Sequence, residues 1–262
     1  MKKTVQTIRK SKGKSSITAL TAYDTLTAQL ASQAGIDLIL IGDSLGTTHL
    51  GFETTVEVTL AHILHHTAAV SRAQPESLVV ADLPFAHAHF SQSETLQSCA
   101  KLMQEGGAQA VKIEADSTLV PTIKHICSAG IPVLGHIGLL PQRIHSLGKY
   151  RKFGKNQAEA DQLLKDAIAL QEAGCFALIG EMIDEKVTAQ ITQSLEIPLI
   201  GIGCGPDCDG QILVSSDMLG YPSAFHPNFV KTYANLEKII LDAFETYAQE
   251  VRDGSFPQSL ES

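Results

Sequence analysis

The sequence has no apolar stretch approaching the roughly 18 uncharged residues of a membrane-spanning helix, although 44% of its 262 residues are hydrophobic. Its basic opening, 1–14, is not followed by the apolar run of a secretory leader. A cytoplasmic protein that does not span a membrane is therefore expected. Positive charge is also scarce: 20 Lys and Arg stand against 28 Asp and Glu, a formal net charge of −8. Such a surface repels phosphate backbones and anionic lipid, which argues against nucleic acid and membrane as partners. Cysteine is sparse and odd in number, with five residues at Cys99, Cys127, Cys175, Cys204 and Cys208. That scatter does not form a disulfide framework, so reduced thiols are expected. No Pro/Ser-rich linker or low-complexity run divides the chain. Residues 1–262 read as a single domain ending in an amphipathic helix, at a length that (β/α)₈ barrels reach undivided.

What is present is a repeated alternation. Short, nearly continuous apolar runs occur at 17–22, 37–42, 77–82, 109–114, 131–136, 175–181, 198–203 and 211–215. Runs of that kind suit strands buried on both faces of a parallel sheet. Helical patterns at 24–34, 56–73, 92–105, 117–128, 158–173 and 184–195 separate most of them. Several helical segments end in Gly directly before the next run, as at Ala34-Gly35-Ile36 and Ala173-Gly174-Cys175. Glycine there supplies a left-handed helix stop. The gap between the seventh and eighth runs is too short for a full helix. Eight strands alternating with helices predict an α/β protein with a (β/α)₈ (TIM) barrel; an open doubly wound sheet is the alternative. Residues 229–251 predict a long amphipathic helix whose stripe faces core or a second subunit.

The polar residues inside these runs cluster at one end. Tyr23 and Asp24 follow the first strand, Asp43 and Ser44 the second, and Asp82 ends the third. Lys112 and Glu114 close the fourth, His136 the fifth and Glu181 the sixth. In a barrel those ends converge on one mouth, where barrel active sites lie. Each residue taken singly has a structural account: an aspartate after a strand often caps the next helix. Lys112 and Glu114, two apart and so on one strand face, can form an internal ion pair. Taken together, four carboxylates at one mouth are costly unless a cation compensates them. Hard oxygen ligands suit Mg²⁺, which takes one or two carboxylates, waters and substrate oxygens. A 2-oxo acid chelates such an ion, and the ion acidifies the adjoining C–H bond. A further carboxylate then serves as base. The residues thus predict metal-assisted enolate chemistry and leave the substrate open.

The segments TALTAYD (18–24), LILIGDSLG (38–46), HHTAAVSR (65–72), VVADLPF (79–85), AVKIE (110–114), GHIGLLPQ (135–142), PLIGIGCG (198–205), DGQILVSSDMLG (209–220) and PNFVKTY (227–233) resemble, in order, the signatures of the ketopantoate hydroxymethyltransferase family. The resemblance implies a barrel of the phosphoenolpyruvate/pyruvate-domain type and a homodecamer. It implies transfer of a hydroxymethyl group from 5,10-methylenetetrahydrofolate to 3-methyl-2-oxobutanoate, giving 2-dehydropantoate, the first step of pantothenate synthesis. It also implies roles: Asp43 and Asp82 as Mg²⁺ ligands, and Glu114 as the acid holding the ion's water. Asp43, Ser44, Asp82, Lys112 and His136 line the bound oxo acid, and Glu181 is the general base. The chain departs from the family pattern at Gly180, where a larger apolar residue is expected, at Leu140 in place of Thr, and at Cys204 in place of Ala. The loop 148–154 matches only in part.

Three features invite other readings. Gly201, Gly203 and Gly205 lack the spacing and helix start of a dinucleotide loop and read as a tight turn. Cys204 and Cys208 have no second pair with which to bind zinc. His62, His65 and His66 share a helix face, and His87 and His89 follow Asp82 on a loop near the mouth. Two other functions compete: a 2-oxo-acid lyase or phosphonopyruvate-type enzyme on the same barrel, and a catalytically silent metabolite-binding barrel. Against the first stands the absence of a K-K-C-G-H cysteine motif, and against the second the filling of every expected site position.

Overall fold

The computed structural model describes residues 2–222 and 227–258. Its contacts divide the chain into two compact units, Met1–Val214 and Ser215–Ser262. The first holds a closed barrel of eight parallel strands in sequence order: β1 (Ile17–Thr21), β2 (Leu38–Ile41), β3 (Leu78–Asp82), β4 (Ala110–Glu114), β5 (Val133–Gly138), β6 (Ala177–Glu181), β7 (Leu199–Ile202) and β8 (Gly210–Leu213). β8 closes onto β1 between Ile17↔Gly210 and Leu20↔Leu213. Strand positions agree with the sequence expectation to within two residues, because β2, β3 and β4 are buried along their whole length.

Side chains alternate across each strand, so every strand feeds two cores. Inward positions Leu38, Leu40, Leu78, Val80, Ala110, Leu134, Ala177 and Ile179 fill the lumen. Outward positions Ile39, Ile41, Val79, Val111, Ile113, Val133 and Leu178 pack with the helices. Each fully buried Leu or Ile contributes about 1.5–3 kcal/mol. Continuing the inward series by two reaches Asp82, Lys112, Glu114, His136 and Glu181. The same alternation that packs the lumen therefore aims the polar residues at the barrel's upper end.

The outer helices are Thr25–Gln33, Leu60–Arg72, Gln92–Gln104, Val120–Ser128, Gln157–Ala173 and Glu185–Ser194. Side-chain caps fix several starts: Asp24 accepts from the Thr27 amide, Ser91 from Glu94 and Asn156 from Glu159. No helix joins β7 to β8. The helix Val5–Lys10 was not expected from the sequence. Its Ile8, 2% exposed, belongs to the lumen core and plugs the lower end. Nearby, Lys12 Nζ lies 2.8 Å from Asp209 Oδ2, and Asp209 also accepts from the Leu199 amide.

In the second unit, helix Ser215–Leu219 precedes helix Leu236–Asp253. The latter starts later than the 229 expected from its pattern. The Tyr233 amide donates to the Met218 carbonyl, and the Asn235 side chain caps the helix at the Lys238 amide. None of its residues is buried within the chain, and Ile239, Phe244, Tyr247 and Val251 stand exposed.

Candidate active site

The ends of β2 to β6 are joined by a chain of polar contacts. The Asp43 amide donates to Asp82 Oδ2 at 3.0 Å, and Lys112 Nζ lies 2.9 Å from the same oxygen. Lys112 Nζ is also 3.3 Å from His136 Nδ1. The other ring nitrogen, Nε2, stands 3.3 Å from Glu181 Oε2 without the alignment of a hydrogen bond. Glu114 Oε1 lies 4.0 Å from His136 Nδ1. Strand register sets this order, since Asp82 pairs with Lys112 and Glu114 with His136. Ser44 Oγ is 2.8 Å from the Tyr23 hydroxyl, which extends the array to β1. All seven residues expected at the site, Asp43, Ser44, Asp82, Lys112, Glu114, His136 and Glu181, thus stand at one end of the barrel. Asp24 has the structural role: it caps the following helix.

Burial dominates the electrostatics. It disfavours charge on Lys112, but the carboxylates of Asp82, Asp43 and Glu114 outweigh it and hold the ammonium protonated. Burial, reinforced by Asp43, lifts Asp82 to about 7 despite Lys112. It lifts Glu181 to about 8, again with Asp43 adding to the shift, and carries Glu114 well above the usual carboxylate range. The His136 imidazole is driven well below its ordinary value by burial and then by Lys112, so it is neutral. Its Nδ1 accepts from the ammonium, which leaves the ring proton on Nε2, facing Glu181. The Glu181 side chain is 19% exposed, against 4% or less for its neighbours Glu114, His136 and Lys112. It is the carboxylate most open to the mouth.

The donor set suits a hard cation. Asp82 Oδ1 is buried and has no hydrogen-bond partner, a costly state for a carboxylate oxygen unless something positive meets it. Among the described residues no three of His, Cys, Asp and Glu close around an ion by themselves. An ion held by two carboxylates and completed by water and substrate oxygens fits that arrangement.

Gln142 escaped the sequence reading although it lies in a quoted motif. Its side-chain amide donates to Asp43 Oδ2 at 2.9 Å and to the Leu83 carbonyl at 3.1 Å. Its backbone amide donates to Glu114 at 3.2 Å. One residue on the turn after β5 thereby orients groups from β2, β3 and β4. Its place at the end of the GHIGLLPQ motif was the signal that could have found it. Tyr150, on the partly matching loop, is 44% exposed; partial burial, then Glu181, Asp43 and Glu114, push its hydroxyl up to about 12.

The histidines do other work. His62 Nδ1 accepts from the Thr59 amide at its own helix start. His66 Nδ1 lies 2.6 Å from the Tyr23 carbonyl, and His87 Nδ1 is 3.0 Å from Ser98 Oγ. Gly201 lies within β7, and Gly203 and Gly205, both at positive φ, form the turn after it.

Gly138 ends β5 at φ +94°, and a Cβ there would run into the Glu181 carbonyl oxygen and the Ile183 side chain. Gly138→Ala is expected to destabilise the protein by at least the roughly 1–3 kcal/mol of a strained backbone position, and to lower turnover because the displaced group carries Glu181. Urea unfolding alongside initial rates checks both effects; wild-type stability in the variant would show that the close approach relaxes freely.

The family model described as "Ketopantoate hydroxymethyltransferase" matches residues 2–259. The 3-methyl-2-oxobutanoate hydroxymethyltransferase of Moorella thermoacetica is 49% identical, over 94% of this chain and 91% of that protein. The enzyme of the same name from Trichlorobacter lovleyi is 48% identical, over 92% and 90%. Among solved structures, a phosphonopyruvate hydrolase complex with oxalate and Mg²⁺ superposes with TM-score 0.64 at 16% identity, over 100% of this chain and 92% of that one. A 2,3-dimethylmalate lyase of the PEP mutase/isocitrate lyase superfamily gives 0.61 at 17% identity, over 100% and 92%. At those identities the structural likeness concerns the barrel type alone.

Proposed function

The chain belongs to the ketopantoate hydroxymethyltransferase family, and on that premise we propose how its barrel mouth does the work. The reaction adds a hydroxymethyl group to 3-methyl-2-oxobutanoate to give 2-dehydropantoate, the first step of pantothenate biosynthesis. We take 5,10-methylenetetrahydrofolate as the one-carbon donor and Mg²⁺ as the ion.

Asp43 and Asp82 would hold the ion, with the unpartnered Asp82 Oδ1 as the open ligand position. Bound there, the ion would polarise the keto oxygen and offset the negative charge that develops on it. The Lys112 ammonium attracts the substrate carboxylate, and the neutral His136 and the Ser44 hydroxyl orient it. Glu114, fixed by the Gln142 amide, orders water in the shell beyond. Glu181 takes the single proton from C3. The electron pair of that C–H bond becomes the bond to the donated methylene carbon. The carbon leaves its folate nitrogens, and water supplies the hydroxyl oxygen. In sum, oxo acid, methylenetetrahydrofolate and water give 2-dehydropantoate and tetrahydrofolate.

The observation that carries this assignment is the separation of roles among the carboxylates. Asp43 and Asp82 are joined at the Lys112 side of the site. Glu181 stands beyond His136, more open, with a proton affinity near 8 that suits a base working close to neutrality. Mass spectrometry of the product tests it: turnover is expected to need both the folate donor and Mg²⁺, to vanish in EDTA and to return when Mg²⁺ is restored. Equal product in EDTA would sink the metal assignment. For the assembly we propose a homodecamer, supported by the exposed apolar residues of Leu236–Asp253.

A further inference from the structure

We propose that Cys204 is a positioning residue for the base, its thiol bracing the backbone on both sides of Glu181. The inference rests on the reading of Glu181 as the base. Glu181 is the last residue of β6 and sits between a glycine and a left-handed residue. Gly180 precedes it and has no side chain to anchor the strand. Met182 follows it at φ +50°, a left-handed conformation that non-glycine residues adopt only when their surroundings enforce it. The reversal at Met182 turns the amide of Ile183, a fully buried residue, into the interior. A buried amide must find an acceptor, and this one finds Cys204 Sγ at 3.3 Å instead of a carbonyl. The same sulfur donates to the Gly180 carbonyl at 2.9 Å, with the Ile202 carbonyl a more distant second acceptor at 3.4 Å. One atom from the turn after β7 therefore ties residue 180 to residue 183 and spans the base.

The remaining ties in this segment run from backbone to backbone. The Leu139 amide donates to the Glu181 carbonyl at 2.8 Å, the Met182 amide to Ile202 at 2.9 Å, and the Phe153 amide to Met182 at 2.7 Å. These hold the segment laterally, and the thiol adds its own bonds to the Gly180 carbonyl and the Ile183 amide. Cys204 is 1% exposed, and burial raises its thiol above the usual cysteine range, so the S–H stays protonated and continues to donate. Cys204 touches neither substrate nor ion. It acts by holding the carboxylate where the C3 proton will be.

Cys204→Ala, Cys204→Val and Cys204→Ser test the brace, with kcat and the KM for the oxo acid measured per folded enzyme. Ala removes both bonds, Val removes them while filling the space, and Ser keeps a donor and an acceptor. The family pattern has Ala here but a larger residue at 180; beside Gly180, losing the thiol leaves the segment unbraced. Misplacing a catalytic group by about 1 Å can cost about a hundredfold in rate, so Ala and Val are expected to lower kcat by about ten- to a hundredfold. KM should be unchanged, because Lys112, His136 and the ion site are untouched. Ser should recover most of kcat. Wild-type kcat in folded Val or Ala overturns the proposal, as does a loss that Ser fails to rescue, since that would mean the sulfur acts by size alone. If Ala does not fold, Val decides. Glu181→Gln is run in parallel: turnover surviving it removes the base reading itself, whereas a silent Gln variant beside wild-type Val removes only the brace.

Discussion

Glu181→Gln is expected to lower kcat by about 10²–10⁴-fold, the range that a positioned proton-transfer group supplies, while the KM for the oxo acid stays close to wild type. The substitution keeps the shape and removes only the capacity to take a proton. Its second signature is thermodynamic. The folded-state proton affinity of Glu181 is raised from 4.5 to about 8, so the folded protein holds this proton more tightly than the unfolded chain does. A raised acid costs stability as pH climbs above 4.5, and the cost becomes complete beyond about 8. The glutamine variant should therefore match the metal-free wild type in acid and exceed it in melting temperature at pH 8 and above. Calorimetry across that range, together with steady-state kinetics, reads both effects. A variant that loses turnover and also melts lower at alkaline pH would point to structural damage and not to the loss of a base.

Lys112→Met is expected to cost more than activity. The lysine is the buried cation that compensates Asp82, Asp43 and Glu114, and methionine keeps its bulk without its charge. Removing one partner of a buried ion pair typically costs about 3–5 kcal/mol, because the remaining charge is left uncompensated. The remaining carboxylates can escape by staying protonated. Burial already raises Asp82, to about 7, and Glu114 in the folded protein, so the penalty should be small near pH 5 and grow as pH rises through 7. Urea titrations of wild type and variant at pH 5 and pH 8 check this; the same midpoint shift at both values would show that the lysine stabilises by packing alone. Oxo acid binding should weaken at every pH, since the proposed partner of the substrate carboxylate is gone.

The barrel was legible in the sequence because its strands are buried on both faces, and burial writes itself as apolar runs such as LILI and LVVAD. The site was legible for a related reason. Inward alternation of period two places Asp82, Lys112, Glu114, His136 and Glu181 above lumen residues of the same strands, so position along a strand sufficed to gather them. What could not be read were the residues whose role depends on contacts far along the chain. Gln142 reads as an ordinary residue after proline until the turn carries it to Asp43 and Glu114. Cys204 registered as a departure from a family pattern, and only the left-handed Met182 reveals the amide that needs it. The helix Val5–Lys10 was missed because six residues are too few to show a period. The late start of Leu236–Asp253 came from a cap at Asn235 that interrupts a pattern continuing on either side.

The pairing of β1 with β8 sets a timetable for making the protein. Lys12 and Asp209, clamped at 2.8 Å, lie 197 residues apart in sequence. A ribosome therefore delivers the first strand long before the strand that completes its ladder. Until then a nascent chain exposes the free edges of β1 and of the newest strand, each a template for pairing with another molecule. Contacts this distant in sequence slow folding. The arrival of β8 thus decides whether the earlier strands have a barrel to belong to.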